Sequence, residues 1–430
     1  MGPLILAGAV LAAAFGGMFW LRDLFRAAGW FVVLFVLASA AYAVAVRWIL
    51  RRPPASWWAL GGILGAALLF RLLLLPSAPT LSTDLYRYLW DGRLAVAGVS
   101  PYRHPANAPE VAGFRDELVY PHLNHVDWRT VYPPGGQLLF AALAGLWPSS
   151  VMGMKLVMLA ADLLTIGLIL GWLRTLGRPA AWVLVYAWHP LVVVELAGSG
   201  HLDALVLATT AGALWAAARG RLVAAGAVVG LGALVKVYPL LLLPAIWGER
   251  RARVLAAGLG VVAAGYALYW REGVAVFGSL GRYVAEEEFN GTARAMLELV
   301  LAPLGPGGLM AARLIPLLGL AGLALAVGWR TAPPVDWRAR WLVGGYLLTT
   351  PNLFPWYALW MVPLQAAAPA WPWLYLTCAV ALTYVSFAQP IWHMPAWVIA
   401  AQWVPFALGL AWAARPFSTA TRATLCRPSP

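Results

Sequence analysis

Charge is scarce in this chain. Only 11% of its 430 residues are Asp, Glu, Lys or Arg, whereas 62% are apolar. A soluble domain carries about 25% charged residues, so this composition excludes a soluble globular protein. Cysteine is nearly absent as well: Cys378 lies in an apolar run and Cys426 near the C-terminus, a pair that does not indicate a disulfide framework. The scarcity of charge therefore indicates an integral membrane protein.

Long apolar runs recur along the whole sequence. Many are about 17–25 residues long, which is the length that crosses the hydrocarbon core of a bilayer. They leave no room for a separate soluble domain, so residues 1–430 are predicted to form one all-α, polytopic transmembrane domain with about 12–13 spans. The first run has no basic region before it and is interpreted as a span, not as a cleaved signal peptide.

The basic residues give a net charge of +13, but they do not indicate a nucleic-acid partner. Most arginines lie in short links between apolar runs, with no basic stripe or zinc-ligand spacing, and cytoplasmic links of membrane proteins are rich in arginine. If these links and the Arg415–Arg427 tail are cytoplasmic, residues 77–134 and residues 271–294 lie on the opposite side of the membrane. One topology then accommodates all the basic links.

Two polar segments are predicted on this outer side. Residues 77–134 contain six of the 17 acidic residues and three of the six histidines, and are predicted to form a catalytic loop with interfacial helices. Residues 271–294 form a second outer loop with four more acidic residues and Arg282. This second loop is either a lid over a substrate or a solvated connector.

The densest polar motif is the sequence DLYRYLWDGR, which begins at Asp84. Ser82 or Thr83 suits the N-cap of a helix there. The spacing of Asp84, Arg87 and Asp91 then places all three on one helix face. A carboxylate in this position can take a proton from a hydroxyl group, and the arginine can bind a phosphate. The alternative is an interfacial helix with local ion pairs.

A second polar cluster contains Glu195, His201 and Asp203, where a predicted span emerges on the outer side. Ionisable residues at a membrane edge indicate function, because their burial is costly. The spacing resembles loose metal ligation, but no second histidine lies close by in the sequence, which argues against a bound metal. The alternative is a polar cluster that hydrates the mouth of a cavity.

Lys236 stands out because the chain contains only one other lysine, Lys155. The topology is consistent only if residues 222–247 form two short helices that meet near Lys236 and Pro239. Broken helices are tolerated at membrane depth where they line a cavity, so a cavity is predicted near Lys236. A lysine is a compact charge that suits a phosphate group. The alternative is a side chain that extends to the membrane interface.

Taken in order, these segments resemble the bacterial GT-C superfamily of polytopic glycosyltransferases, and most closely its mannosyltransferase-like members. The resemblance spans residues 80–365. This chain departs from the family pattern in one respect. Two apolar runs precede the span that leads into the catalytic loop, whereas many relatives have one such run or none. The motifs that carry it are the Asp84 motif, Ser100-Pro101-Tyr102, Tyr132-Pro133-Pro134, His189-Pro190 with Glu195, Gly200-His201-Leu202-Asp203, Lys236-Val237-Tyr238-Pro239 and Phe354-Pro355-Trp356-Tyr357.

The resemblance implies a GT-C fold and an activity. Such enzymes transfer a hexose, here most reasonably mannose, with inversion from a polyprenyl-phosphate donor to a lipid or glycan acceptor. Their base is an acidic residue of the first large outer loop, which corresponds to Asp84, and a lysine beside the donor phosphate corresponds to Lys236. Arg87 or Arg282 would add positive charge at that phosphate, and Asp91 would be a second acid or would orient its neighbours.

The remaining expectations concern the cavity and its surroundings. No cofactor is expected, although a divalent metal is left open, and the partners are the donor, the acceptor and membrane lipids. The protein is expected in the bacterial cytoplasmic membrane with its catalytic face on the outer side.

The alternative function is a lipid-linked glycan flippase or transporter, against which the lack of an internal repeat argues. The residues expected to line the substrate cavity are Glu195, His201, Asp203, Tyr238, Trp356 and Tyr357.

Overall fold

Helices make up the regular structure of this protein. The computed structural model describes residues 1–330, 332–389 and 394–414. These residues contain twenty α-helices and no strand, and two isolated bridges join Phe289 and Asn290 to Asn352. The predicted all-α, polytopic fold is therefore confirmed. Cys426 and the Arg415–Arg427 tail lie outside the described residues.

The helices follow one another along the chain with short links between most of them. The α-helices are α1 (Gly2–Trp20), α2 (Ala28–Arg51), α3 (Trp57–Leu74), α4 (Asp84–Val96), α5 (Pro134–Leu146), α6 (Val151–Thr175), α7 (Leu184–Ala187), α8 (Pro190–Val192), α9 (Asp203–Ala218), α10 (Leu222–Ala233), α11 (Leu243–Ile246), α12 (Arg251–Ala267), α13 (Leu280–Glu286), α14 (Thr292–Leu301), α15 (Pro306–Trp329), α16 (Val335–Thr349), α17 (Pro355–Ala358), α18 (Val362–Ala367), α19 (Trp371–Ala379) and α20 (Ala396–Ala414). Short 3-10 segments lie at Pro109–Phe114, Tyr120–His122, Ala180–Val183, Tyr238–Leu242, Gly248–Arg250, Trp270–Phe277, Ala302–Leu304, Leu359–Met361 and Val380–Ala388, and a π-helical segment covers Val193–Gly198.

Seven helical segments of the described residues are long and apolar enough to cross a membrane. They are α1, α2, α3, α6, α15, α20 and the stretch Trp371–Ala388 that begins with α19. Two bent pairs, Ala180–Ala187 with Pro190–Gly198 and Gly248–Ala267 with Trp270–Glu286, raise the number to nine if each pair is one span. The predicted count of about 12–13 is higher because hydropathy also counts apolar helices that are too short. Helices α5, α9 and α10 have 13, 16 and 12 residues, or about 18–24 Å at 1.5 Å per residue.

Residues 77–134 contain one α-helix, α4, which packs along α5. Helix α4 begins at Asp84, as its motif predicts, and the Asp84 backbone N–H donates to Ser82 Oγ at 3.3 Å. The two helices approach closely at Gly92, where a Cβ atom would lie 2.3 Å from the carbonyl oxygen of Phe140. A larger residue would push α4 away from α5. Gly92 therefore helps to fix the helix that carries Asp84.

The segment 222–247 is broken close to Lys236. Helix α10 ends at Ala233, a 3-10 segment covers Tyr238–Leu242, and α11 covers Leu243–Ile246. Pro239 has no backbone N–H to donate within a helix, which explains why α10 does not continue through this sequence. The break leaves Lys236 in a turn between the two short helices.

Residues 271–294 fold over residues 77–134, which keep the name catalytic loop from their predicted role, instead of extending into solvent. The Ser279 backbone N–H donates to the Thr130 carbonyl oxygen at 3.2 Å, and Ser279 Oγ accepts the Arg129 backbone N–H at 2.9 Å. Farther along, the Leu353 backbone N–H donates to the Phe289 carbonyl oxygen at 2.7 Å. The segment is thus attached to the loop at one end and to the start of α17 at the other, which favours a cover over a connector.

Candidate active site

One cavity of about 660 Å³ lies where the catalytic loop, α13, the turn at Lys236 and the segment before α17 meet. Ligand sites of proteins have volumes of roughly 300–1,000 Å³, so this cavity can hold a small substrate. Polar and charged side chains gather on one part of its wall, and aromatic and aliphatic side chains cover the rest. The ionisable residues of the wall, tyrosines apart, are Asp84, Arg87, His125, Arg129, Lys236 and Glu287.

Asp84 lies in the cavity wall at the start of α4. Its Oδ1 atom accepts a hydrogen bond from Asn124 Nδ2 at 3.1 Å. Its Oδ2 atom lies 3.9 Å from His201 Nδ1, and the carboxyl side chain is 19% exposed. A carboxylate that is held by a hydrogen bond and is still in part exposed at a cavity can act as a general base.

Arg87 lies in the same wall, one helical turn after Asp84. Its guanidinium donates to Asp91 Oδ1 at 3.0 Å and to the carbonyl oxygen of Trp128 at 2.7 Å. Asp91 is fully buried and also accepts a hydrogen bond from Gln137 Nε2 at 2.9 Å. Asp91 lies outside the cavity wall, where it can orient Arg87 but cannot contact a substrate in the cavity, and its role as an orienter stays a prediction.

Lys236 enters the cavity from the break after α10, as the sequence predicts. Its Nζ donates to Asp203 Oδ2 at 2.6 Å and lies 5.3 Å from the centre of the Tyr357 ring. The Tyr238 hydroxyl donates to the other oxygen of Asp203 at 2.9 Å. Asp203 is 1% exposed and lies outside the cavity wall. The expectation that Asp203 lines the cavity is therefore corrected: it anchors Lys236 and Tyr238, which do.

Arg282 does not line the cavity, contrary to the prediction that it binds the donor phosphate. Its guanidinium pairs with Asp127 at 2.7 Å and with Glu286 at 2.8 Å, and it stacks over the ring of Trp128. Arg282 holds the pKa of the Asp127 carboxyl below its usual range through their hydrogen bond. Both carboxylates neutralise this arginine, so it attaches α13 to the catalytic loop instead of facing a substrate.

Glu195 and His201 also lie behind the wall and not in it. Both are buried, and His201 stacks on Trp356 with ring centres 4.2 Å apart. Trp356, Tyr357 and Tyr238 do line the cavity, as predicted. The expectation that Glu195 and His201 line the cavity is corrected: neither is in its wall, and the wall residue Trp356 covers one face of the His201 ring.

Aromatic rings form much of the remaining wall. Phe354 and Trp356 stack with ring centres 4.7 Å apart, and the hydroxyl groups of Tyr283 and Tyr357 are hydrogen-bonded to each other. These contacts hold the rings in fixed orientations. Rigid aromatic walls with a few placed polar groups are typical of sites that bind small organic molecules.

The sequence of the first half of the chain matches a known family. Residues 4–248 match the family model described as Alpha-(1->6)-mannopyranosyltransferase, N-terminal domain. The match covers more than half of the chain and includes Asp84, Glu195, His201 and Lys236. This chain belongs to that family. The expected resemblance to membrane mannosyltransferases is thereby confirmed, and the family is one of glycosyltransferases.

A curated relative gives a shorter match. GPI mannosyltransferase 1 of Gibberella zeae is 36% identical over 105 residues, which are 23% of this chain and 25% of that protein. The chain thus matches about a quarter of the length of this curated relative. No solved structure matches the chain.

Several cavity residues of this family member have no signal in the sequence. Arg129 lines the cavity, and no carboxylate within the described residues pairs with its guanidinium. Asn124 also lines the cavity and donates to Asp84, whereas the buried Gln137 lies behind the wall and donates to Asp91. A single amide residue in a loop or an apolar helix does not stand out in a sequence. The roles of these residues are recognised only when the fold brings them to the cavity or to the carboxylates behind it.

Glu287 is a further cavity residue that the sequence did not distinguish from its neighbours. Burial raises the pKa of the Glu287 carboxyl, an effect that His125 partly opposes and Asp84 reinforces. His125 Nε2 lies 3.5 Å from Glu287 Oε2. This contact joins the catalytic loop to the segment that covers it, directly at the cavity.

A metal site was left open by the sequence. Among the described residues, no group of three or more His, Cys, Asp or Glu side chains has an arrangement that could hold a metal ion. His201 lies between Glu195 and Asp84, but the two carboxylates are on opposite nitrogens of its ring. A single ion cannot bind both sides of one imidazole, so these three side chains do not converge on one point.

Proposed function

We propose that this protein transfers a mannosyl residue from a polyprenyl-phosphate donor to a hydroxyl group of a lipid or glycan acceptor. The observation that carries this proposal is the common location of Asp84, Arg87, Arg129 and Lys236 in the wall of one cavity. A carboxylate can take the proton of the acceptor hydroxyl, and cations can bind the phosphate of the donor. The family match supports mannose as the sugar.

The reaction is a single displacement. The acceptor oxygen attacks the anomeric carbon and forms the new C–O bond, while its proton passes to Asp84. The bond between the anomeric carbon and the phosphate oxygen breaks, and the polyprenyl phosphate leaves with the electron pair. A phosphate leaves without a strong general acid, so the pair of carboxyl groups used by glycosidases is not required.

The three cations have distinct surroundings in this reaction. Arg87 and Lys236 are held rigidly by Asp91 and Asp203, so they are preorganised where negative charge develops on the leaving phosphate. Arg129 has no carboxylate partner among the described residues and is free to pair with the phosphate of the bound donor. We therefore replace Arg282 by Arg129 as the third donor-binding cation.

The stereochemistry follows from the mechanism and the family. A single displacement inverts the configuration at the anomeric carbon. The family model is described by an alpha-(1->6) product, so the donor must carry a β-linked mannosyl group. The attacking group is then the primary 6-hydroxyl of an acceptor hexose, for which a mannoside serves as the first test.

The apolar part of the cavity suits the lipid portion of the donor. Phe25, Leu280, Val284 and Phe387 contribute to the wall, and the rings of Phe25 and Phe387 lie 4.8 Å apart. Phe25 belongs to the link between α1 and α2, the pair of helices that precedes the span leading to the catalytic loop. These side chains offer an apolar surface for the isoprenoid units next to the phosphate.

The test uses the purified full chain in nanodiscs with a β-linked polyprenyl-phosphate mannose and a short mannoside acceptor. We expect released polyprenyl phosphate and an acceptor that is heavier by one hexose. Asp84→Asn is expected to lower kcat by about 10²–10⁴-fold, the usual contribution of a general base. Glu117→Gln changes an exposed carboxylate of the same loop and should leave kcat unaltered.

Two results would contradict the proposal. Full activity of Asp84→Asn would remove the assigned base. Movement of a labelled lipid-linked sugar across the bilayer, without transfer to any acceptor, would make the protein a transporter. The same assay in vesicles of defined orientation would test the outer face of the bacterial cytoplasmic membrane as the site of transfer.

A further inference from the structure

His201 is a buried side chain whose polar atoms are not satisfied. Its exposure is 1%, and within the described residues no hydrogen bond reaches either ring nitrogen. The Oε2 atom of Glu195, which is fully buried, is likewise without a hydrogen bond among these residues. Buried polar atoms without partners cost free energy and are rare in folded proteins. A functional reason is therefore expected at this point of the fold.

A second buried histidine shows the usual arrangement. His189 Nε2 lies 3.0 Å from Thr377 Oγ1, and His189 Nδ1 accepts the Leu191 backbone N–H at 3.2 Å. Both ring nitrogens of His189 are thus used to hold the structure together. His201 has the same burial and residue type but lacks these contacts, so burial alone does not explain it.

Two carboxylates lie on opposite sides of the His201 ring. Nδ1 lies 3.9 Å from Asp84 Oδ2, and Nε2 lies 3.3 Å from Glu195 Oε2. The other oxygen of Glu195 accepts a hydrogen bond from the Tyr384 hydroxyl at 2.6 Å. Asp84, His201, Glu195 and Tyr384 therefore form one continuous row that begins in the cavity and ends in the protein interior.

The backbone around this row restricts the position of the ring. The chain is π-helical over Val193–Gly198, a geometry that often occurs at functional sites, and the His201 backbone N–H donates to the Glu195 carbonyl oxygen at 3.0 Å. Gly200 has a φ of +74°, and a Cβ atom there would lie 2.6 Å from Leu85 Cδ1. Stacking on Trp356 fixes the plane of the ring.

We propose that His201, held in place by Glu195, receives from Asp84 the proton that leaves the acceptor hydroxyl. This inference rests on the proposed glycosyl transfer. In this proposal the imidazole carries its proton on Nε2, the nitrogen 3.3 Å from Glu195 Oε2, and the lone pair of Nδ1 lies on the side of Asp84. The proton passes from the acceptor oxygen to Asp84 and then to Nδ1, so Asp84 is again a carboxylate and His201 carries the positive charge.

This arrangement gives the proton taken up by Asp84 a place to go while the site is closed by its substrates. With both substrates bound, Asp84 cannot release its proton to bulk water. A positive charge on His201 lies between two carboxylates, where it is electrostatically favoured, as in the hydrolase triad in which a buried carboxylate orients a histidine and stabilises its charged form. After the products leave, the proton returns through Asp84 to water in the cavity.

The test measures kcat and the donor KM of the full chain in nanodiscs. His201→Gln is expected to lower kcat by roughly 10²-fold, the lower end of the effect of an acid–base group, with the donor KM unaltered. In an Asp84→Asn background the same substitution should cause no further loss, because His201 acts only through Asp84. Glu195→Gln should lower kcat less, since it removes the charge but keeps the shape.

His189→Gln is the matched control. It changes an equally buried histidine and should lower the unfolding temperature without changing kcat per folded molecule. If His201→Gln is not monodisperse, Glu195→Gln replaces it, and its effect on kcat is compared in the parent and in the Asp84→Asn background.

Three outcomes would overturn the inference. They are an unchanged kcat in His201→Gln, a raised donor KM at constant kcat, and an equal loss with and without Asp84. In each of these cases the parent protein would still transfer mannose in an Asp84-dependent manner, so only the role of His201 would be wrong. Absence of transfer by the parent protein would overturn the proposed function itself.

Discussion

Two buried ionic clusters of this protein differ in how completely their polar atoms are paired. In the first, Arg71 of α3 donates to both oxygens of Asp162 of α6, at 2.6 and 3.2 Å, and to the carbonyl oxygens of Ala67 and Ala187. The Tyr186 hydroxyl donates to Asp162 at 2.7 Å. In the second cluster, the atoms of His201 and Glu195 that face each other lack hydrogen bonds among the described residues.

This difference in pairing distinguishes a cluster that stabilises the fold from a cluster that can take part in a reaction. A charge inside a membrane protein is tolerated when a partner and hydrogen bonds satisfy it, and the Arg71 cluster then fastens two spans together. A cluster with unused donors and acceptors gives up part of this stability and keeps its groups available for proton transfer. Pairing thus distinguishes the two clusters better than burial, which is nearly complete in both.

The largest expected effect comes from breaking the satisfied cluster. Asp162→Asn leaves the buried Arg71 without its counter-charge, and the loss of one partner of a buried ion pair costs about 3–5 kcal/mol. We expect a clearly lower unfolding temperature of the purified protein in detergent. Asp84→Asn, its counterpart at the cavity, should unfold close to the parent temperature while losing activity. Equal stability of the two variants would remove the distinction.

An intermediate effect is expected at Arg129, which has no carboxylate partner among the described residues. Arg129→Gln removes a charged group that pairs with the donor phosphate, and hydrogen bonds to charged groups contribute about 1.5–3 kcal/mol. The donor KM should therefore rise by about 10- to 150-fold, with little change in the unfolding temperature. Arg282→Gln is the matched control, since this arginine is paired with Asp127 and Glu286 outside the cavity. A larger KM effect in Arg282→Gln than in Arg129→Gln would restore Arg282 to the phosphate site.

The smallest expected effect concerns pH. The pKa of Glu287 is raised, first by burial, so its charged form is disfavoured in the folded protein. A carboxyl group whose pKa is higher in the folded than in the unfolded protein adds to the free energy of unfolding at pH values below its unfolded pKa. This contribution is lost as the pH rises through the pKa of the folded protein. Glu287→Gln should therefore gain stability relative to the parent as pH rises through that range, by less than about 1 kcal/mol because the Glu287 side chain is still in part exposed to water. Unfolding temperatures of both proteins at several pH values measure this, and a difference independent of pH would contradict it.

Local features of the candidate site follow from the sequence. The start of α4 at Asp84, the shared face of Asp84, Arg87 and Asp91, and the break at Lys236 depend on spacing, capping and proline within a few residues. The structure contains each of them. The number of spans was less accessible, because hydropathy measures the apolarity of a segment and not whether the helix is long or straight.

Assignments that required contacts between distant segments were not accessible from the sequence. Arg282 and Arg129 are both arginines in polar segments, and nothing local distinguishes the arginine that faces the cavity from the one that is neutralised. Likewise, Asp203 was expected in the cavity because of its position in the chain, whereas its role depends on Lys236, 33 residues later.

The sequence by itself determined the membrane class, the helical architecture, the family and the segments that carry chemistry. Composition and short-range periodicity suffice for these properties, because burial in lipid and helix formation depend on neighbouring residues. Only the tertiary structure decided which charges are satisfied. Arg71 and Asp162, or His201 and Asp84, meet across more than 90 residues of chain, and the pairing of a buried charge depends on what packs against it, which no local pattern encodes.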